Sequence, residues 1–141
     1  MRCKKNWNIL WRLEILLLVF VFFGCGDNEE KLYGSWRLQS VKMNGEALDD
    51  TLQYNVIPKY TFYTFFYANA LIVQTYAMEQ DIITSDGSYA FKNNSTIYMR
   101  FTLFDKLYDI SDAKIKKLTR RELNLEYTYR DNDYFLIFYS Y

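Results

Sequence analysis

Histidine is absent from all 141 residues, which removes most of the usual catalytic machinery. Without imidazole there is no Ser-His or Cys-His nucleophile pair, no histidine general base and no histidine metal site. Carboxylates are then the only acid or base groups to weigh. Paired carboxylates in a cleft can hydrolyse glycosidic bonds, which singles out Asp49, Asp50, Asp105, Asp109 and Glu126. Each falls in a predicted turn or on a predicted outward strand face, where solvation accounts for it. Asp131 and Asp133 could offer oxygen to a hard cation, but their spacing does not make a complete calcium loop, and they read as turn residues. No residue is assigned a catalytic or metal-binding role, and the chain is expected to be neither an enzyme nor a cofactor carrier.

The thiols point to location rather than reaction. The chain has two cysteines, Cys3 and Cys25. Arg2, Lys4, Lys5 and Arg12 precede an unbroken apolar run from Ile15 to Phe23, and Gly24-Cys25 follows. Charged start, short apolar core and small residue before a processing point form the layout of an exported precursor. The run is much shorter than the ~20 apolar residues that span a bilayer. Phe22-Phe23-Gly24-Cys25 resembles the lipobox of bacterial lipoproteins, in which the cysteine becomes the acylated first residue. Gly26-Asp27-Asn28-Glu29-Glu30 is similar to the acidic tag behind that cysteine in surface-exported lipoproteins of Bacteroides-type bacteria. The resemblance implies a signal peptide over 1–24, a lipidated Cys25 with an acidic tether over 25–32, and a domain over 33–141 held to the outer membrane. A free or buried thiol and an uncleaved signal anchor are the alternatives for Cys25. Loss of Cys3 with the signal would leave Cys25 without an intramolecular partner, so the domain must rely on core packing rather than disulfides.

Removing residues 1–24 takes away Arg2, Lys4, Lys5, Arg12 and Glu14, leaving 13 basic and 16 acidic side chains and a formal charge of −3. That balance provides no field for a nucleic acid backbone, so no nucleic acid partner is expected. Lys114, Lys116, Lys117, Arg120 and Arg121 form the one basic cluster. It reads as a solvated turn and strand edge, with contact to an acidic ligand or a lipid headgroup as the other reading.

The elements that must position any site read almost entirely as strands. Aromatics are 20% of the chain, and rings suit pleated, half-buried surfaces. Residues 34–43 alternate, with Trp36, Leu38 and Ser40 on one face, and Asn44-Gly45 ends them in a turn. Leu48, Leu52 and Val56 recur every four residues before Pro58, which predicts a short helix or ordered loop. Tyr60–Phe66 and Leu71–Met78 predict a hairpin. Asp86-Gly87 and Asn93-Asn94 read as turns around Ser88–Lys92. Ile97, Met99, Phe101 and Leu103 give the cleanest alternation. Lys106–Ile110 and Ala113–Leu118 flank a turn or cap at Ser111-Asp112. Leu123, Leu125, Tyr127 and Tyr129 alternate again, and after Asp131-Asn132-Asp133 the segment Tyr134–Tyr139 is apolar on both faces. About eight strands with short connections predict an all-β, antiparallel up-and-down barrel, with an interior either filled by side chains or just wide enough for one small ligand.

Gly34-Ser35-Trp36 resembles the Gly-x-Trp of the first lipocalin strand. Gly87-Ser88-Tyr89, Asn93-Asn94 with Ile97, Leu118 to Tyr127 and Tyr134-Phe135-Leu136-Ile137-Phe138 follow in the order of the lipocalin-like lipoprotein domains of Bacteroides-type bacteria. The resemblance implies that Gly34 and Trp36 close the barrel floor. It also implies a basic residue packed over Trp36, for which Arg130, Arg121 and Arg37 are the candidates.

The function expected is a membrane-anchored, non-catalytic binding or interaction module for a small apolar ligand or a protein partner. Strand alternation nominates Phe62, Tyr76, Met99, Phe101 and Tyr127 as lining residues, each reversible by a one-residue register error. A filled barrel with a structural or accessory role is the alternative, and a carboxylate hydrolase is the weakest reading.

Overall fold

The computed structural model describes residues 28–49, 57–76 and 82–141. Cys25 and the signal, Asp50, Leu52, Val56 and Met78 lie outside the described residues. Inside the stretch read as a tether the chain forms a helical turn, α1 (Asn28–Leu32). Nine strands follow among the described residues: β1 (Gly34–Met43), β2 (Glu46–Ala47), β3 (Thr61–Phe65), β4 (Ala70–Tyr76), β5 (Ile82–Asn93), β6 (Thr96–Leu103), β7 (Lys106–Leu118), β8 (Glu122–Tyr129) and β9 (Asn132–Ser140). Each pairs antiparallel with its neighbour from β3 to β9, and β1 lies between β3 and β9. The seam runs from Trp36 opposite Ser140 to Met43 opposite Tyr134. Eight strands thereby close into a barrel, with β2 a short extension beside the end of β1. Closure removes the sheet edges that would otherwise recruit other chains.

The tight hairpins are legible in their backbone. Asn44 and Gly45 (φ 53° and 85°), Phe104 and Asp105 (50° and 59°), and Arg130 and Asp131 (49° and 63°) form pairs of left-handed residues. Two-residue loops of that kind carry the twist that joins adjacent antiparallel strands. The last turn therefore sits one residue earlier than Asp131-Asn132-Asp133, and Asn132 and Asp133 already belong to β9.

Three other expectations change, each for a local reason. Asp86-Gly87 is not a turn, since β5 runs straight through it with Gly87 opposite both Leu71 and Phe101. Glycine is needed there because a Cβ would run into the Arg100 carbonyl and come within 2.8 Å of the Phe101 Cβ, a close strand approach only a residue without a side chain permits. Ser111-Asp112 is not a turn either. Met99 faces Ile110 and Ile97 faces Ala113, so two residues of β7 oppose Tyr98 alone. That is a β-bulge, which bends the strand carrying the extra residue. A further bulge between Leu38 and Ser40 moves the inward position from Ser40 to Val41, which is buried while Ser40 is half-buried.

The barrel axis is filled with rings. Phe65 meets Tyr89 edge-on at 5.0 Å, and Tyr63 lies 5.4 Å from Phe101 and 4.9 Å from Phe138. Phe101 then stacks on Tyr108 at 4.9 Å, and Tyr108 on Tyr129 at 4.9 Å. This chain of offset and edge-on contacts runs from one end of the interior to the other, in geometries that aromatic pairs favour.

Candidate functional site

The floor is built from α1 and the start of β1. Leu32 is fully buried, and the Trp36 indole N–H donates to its carbonyl oxygen at 2.8 Å. Asn28 holds the turn in place by donating its side-chain amide to the Asn94 carbonyl at 2.6 Å. Gly34 takes a φ of +127° as the chain passes from α1 into the strand, a backbone state open to glycine and costly for other residues. Nearby, the Tyr89 hydroxyl donates to the Phe66 carbonyl at 2.8 Å. The floor is thus polar-satisfied throughout its buried ring donors. Two of the three basic residues expected over Trp36 sit elsewhere: the Arg37 guanidinium lies over Tyr60 and that of Arg130 over Tyr129, at 5.7 and 5.2 Å. Arg120 instead lines a shallow cleft beside Trp36 with Lys31 and Tyr141.

The opposite half of the barrel gathers tyrosines. Tyr108, Tyr127, Tyr129 and Tyr134 surround the end of the ring chain, and Tyr63 reaches toward them from mid-barrel. Tyr129 donates its hydroxyl to the Leu107 carbonyl at 2.7 Å. The hydroxyls of Tyr63 and Tyr127 are buried and have no hydrogen-bond partner among the described residues. A buried polar group left that way costs roughly 1–3 kcal/mol, so each such group needs a reason. Burial raises the pKa of Tyr127 well above the ordinary phenol value, with Tyr63, Tyr108, Tyr134 and Tyr129 adding to the shift. Tyr108 is pushed up to about 12 by burial first and by Tyr129 and Tyr134 next, against a smaller opposing effect of Arg130. These phenols are therefore neutral hydrogen-bond donors over the whole physiological range.

Beside this cluster the barrel wall parts. The β7–β8 ladder runs from Leu118 opposite Leu123 to Lys114 opposite Glu126 and stops there. Beyond it β7 stays with β6 and β8 stays with β9, and the Tyr129 hydroxyl on the Leu107 carbonyl bridges the two strands. The bulge at Ser111-Asp112 falls at the point of divergence and supplies the physical cause, a bend in β7. The parting opens a recess of about 880 Å³, lined on the β7 side by Ser111, Asp112 and Lys114, and opposite them by Lys42, Glu126, Tyr127, Thr128, Asp133, Tyr134 and Phe135. Its carboxylates are engaged already. Asp112 pairs with Lys92 at 2.8 Å, Asp133 accepts the Thr128 hydroxyl at 2.6 Å, and Glu126 lies 3.8 Å from Lys116.

Of the nominated lining residues, Met99, Phe101 and Tyr127 point inward and are buried. Phe62 and Tyr76 point outward. They sit 5.9 Å apart on the outer surface, with Tyr141 packed 5.0 Å from Phe62. The inward residues of that hairpin are Thr61, Tyr63 and Phe65, opposite Thr75, Val73 and Leu71. Thr61 and Thr75 bury a hydroxyl pair at 3.0 Å, so a polar pair faces in while rings face out, the reverse of the usual pattern. Tyr63 and the Ser111-Asp112 bulge are the features of this half that the sequence pattern does not single out. The pairing of Tyr63 with Trp36 across β1 and β3 carries the register signal. Among the described residues no group of three histidine, cysteine or carboxylate side chains is placed to hold a metal ion.

Comparison with known proteins bears on the fold. A lipocalin-like protein from Bacteroides uniformis superposes with a TM-score of 0.54 at 16% identity, covering 79% of this chain and 99% of the other. The fold is lipocalin-like. An uncharacterized protein from Bacteroides eggerthii gives a TM-score of 0.51 at 14% identity, covering 78% of this chain and 99% of its own. No family model and no curated protein matches the sequence. At such identities the lipocalin-like likeness covers architecture and carries no ligand across.

Proposed function

We propose that this chain is a lipid-anchored, non-catalytic binding module that presents a side recess of its barrel, rather than an axial cavity, to a small ligand. The observation that carries the reading is the parted β7–β8 wall lined by Tyr127, whose buried hydroxyl has no partner among the described residues. The ring chain through the interior supports the side location, because Phe101 and Tyr63 occupy the axis that a lipocalin-like barrel would otherwise leave to a ligand. The anchor rests on the lipobox-like Phe22-Phe23-Gly24-Cys25 and the acidic residues behind it. Acylated at Cys25, the protein works at the outer membrane, and the acidic stretch favours the cell surface. The same filled axis favours a second reading, an accessory lipoprotein with no small-molecule ligand.

Mass spectrometry of native protein from the producing cell addresses both parts. The expected spectrum shows a diacyl or triacyl mass on Cys25 as the first residue, and under gentle ionisation a co-purifying small molecule. An unmodified Cys25 still preceded by residues 1–24 overturns the anchor. An acylated protein that never carries a ligand, in any growth condition, favours the accessory reading.

A further inference from the structure

The floor of the barrel is also the end nearest the anchor segment. Cys25 stands three residues before Asn28, where α1 begins, and three residues reach roughly 11 Å at full extension. Asn28 is itself tied to the Asn94 carbonyl in the β5–β6 turn. Strands such as β8 and β9, of 8 and 9 residues, set the two ends of a tilted barrel roughly 20 Å apart, so whatever is attached at Cys25 lies beside the floor. On one side of that floor the rim is continuous. The Ser140 amide donates to the Arg121 carbonyl in the β7–β8 turn, and the Tyr141 amide to the Ser35 carbonyl at the start of β1, both at 3.0 Å. Tyr33, just ahead of β1, packs its ring 4.0 Å from that of Tyr67 in the β3–β4 connection. Arg120, Arg121, Tyr141, Tyr33, Phe66 and Tyr67 thus follow one another in an arc along neighbouring strands. Tyr141 and Tyr67, at 83% and 73%, are the most exposed large apolar side chains among the described residues. Lys31, Arg120 and Arg121 are exposed and form no ion pair among the described residues. Glu29 accepts the Tyr33 hydroxyl at 2.8 Å, and Glu30 lines the floor cleft with Lys31 and Arg120, so the net charge of this end is small.

We propose that this arc docks on the headgroup layer of a phospholipid bilayer, so that the barrel stands on its floor. The proposal rests on the lipid-anchor reading above and adds the posture of the barrel. Tyrosine rings, apolar in body and wet at the tip, suit the boundary between acyl chains and headgroups. Lysine and arginine lay their stems along apolar surface while their heads reach outward, here to phosphate oxygens, which arginine binds in charge-assisted pairs. Rings are exposed at the opposite end as well, Tyr60 and Tyr76 among them. Exposure alone therefore does not choose between the ends, and the short reach from Asn28 to Cys25 does. In this posture the side recess, which extends to Gly45 at the opposite end, stays open to solution.

Protein recovered from the producing cell and reconstituted into phosphatidylethanolamine–phosphatidylglycerol vesicles, with and without brominated acyl chains, tests this. Tyr67→Trp and Tyr76→Trp place a reporter at the floor and at the opposite end, each read after subtracting the emission of the unsubstituted protein. The floor reporter is expected to shift to shorter wavelength on transfer from detergent to vesicles and to lose most of its emission to the brominated lipid, while the reporter at Tyr76 keeps both its wavelength and its intensity. A tether alone would hold the floor near the bilayer yet leave the ring in water. Adding Tyr141→Ser, Arg120→Gln and Arg121→Gln to Tyr67→Trp should therefore reverse the shift and most of the quenching, with the thermal midpoint unchanged. Equal quenching at both ends, or a floor signal indifferent to those three substitutions, overturns the docking and leaves the anchor standing. A shift already present in detergent that grows with protein concentration means the rings meet a second copy of the chain, which overturns the membrane as occupant. Protein that neither carries an acyl chain nor floats with the vesicles overturns the anchor and the docking with it. Protein that floats with residues 1–24 retained and Cys25 unmodified overturns the lipid alone, and the two reporters still decide the docking.

Discussion

At the floor, the Trp36 indole reaches the Leu32 carbonyl and the Tyr89 hydroxyl reaches the Phe66 carbonyl, both at 2.8 Å. In the other half, the hydroxyls of Tyr63 and Tyr127 are buried and meet no partner among the described residues. Both regions are crowded with rings, so the difference is not one of hydrophobicity. A donor that is satisfied within the fold contributes to holding the fold. A donor left unsatisfied costs stability, and its retention points to work done when something else is present.

The most drastic way to probe the contrast is alkali. Tyr108, Tyr127 and Tyr63 all have phenol pKa values raised in the folded state, with burial as the leading cause. Their neutral form is favoured by folding, so the stability they confer is fully present below the ordinary phenol pKa of about 10 and is lost as pH rises through the raised values. Absorbance of tyrosinate at 295 nm should show exposed phenols ionising first and a later step coincident with loss of the far-ultraviolet strand signal. A single early step for all tyrosines would mean the cluster is not buried.

Substitutions at the floor come next. Trp36→Ala should destabilise by about 3–5 kcal/mol, as loss of a large buried ring does, measured by chemical denaturation. Leu32→Ala should cost about 2–5 kcal/mol by the same measure, since Leu32 is fully buried although it precedes the first strand. A negligible effect there would detach α1 from the folded unit. Tyr89→Phe removes a hydroxyl that is bonded to Phe66 and should cost about 1 kcal/mol. Tyr127→Phe removes one that is not, and should leave stability unchanged within about 0.5 kcal/mol or raise it. The sign of the difference between the last two variants is the sharpest test of the contrast between the halves.

The sequence was readable where apolar and polar residues alternate. Ile97, Met99, Phe101 and Leu103 lie inward as their period predicts, and the Asn44-Gly45 turn is where its residue types place it. It misled where alternation carries no contrast. Thr61-Phe62-Tyr63-Thr64-Phe65 is aromatic on both faces, so nothing local distinguishes Phe62 outside from Tyr63 inside, and Tyr76 inherits the same slip. Asp86-Gly87 carries a turn signature, but the glycine answers to the neighbouring strand's backbone, a contact between β5 and β6 that short-range patterns do not contain. The candidate site was half visible. Tyr127 and Lys114 stood out as an inward ring and a member of the basic cluster. Their recess depends on a bulge set by the register of β7 against β6, which only the assembled sheet reveals.

The seam between β1 and β9 also sets an order of events. Every ladder from β3 to β9 joins neighbours in sequence and can form as soon as its hairpin exists. The β1–β9 ladder joins the two ends of the domain, with Trp36 opposite Ser140, and contacts that distant are slow to form because a long loop must close first. A chain emerging N-terminus first therefore holds Trp36 and Leu32 without their final neighbours until the last strand arrives. During that interval the wet, unclosed sheet has two open edges, and whatever shields β1 from other chains in that interval governs how much of the protein reaches the closed form.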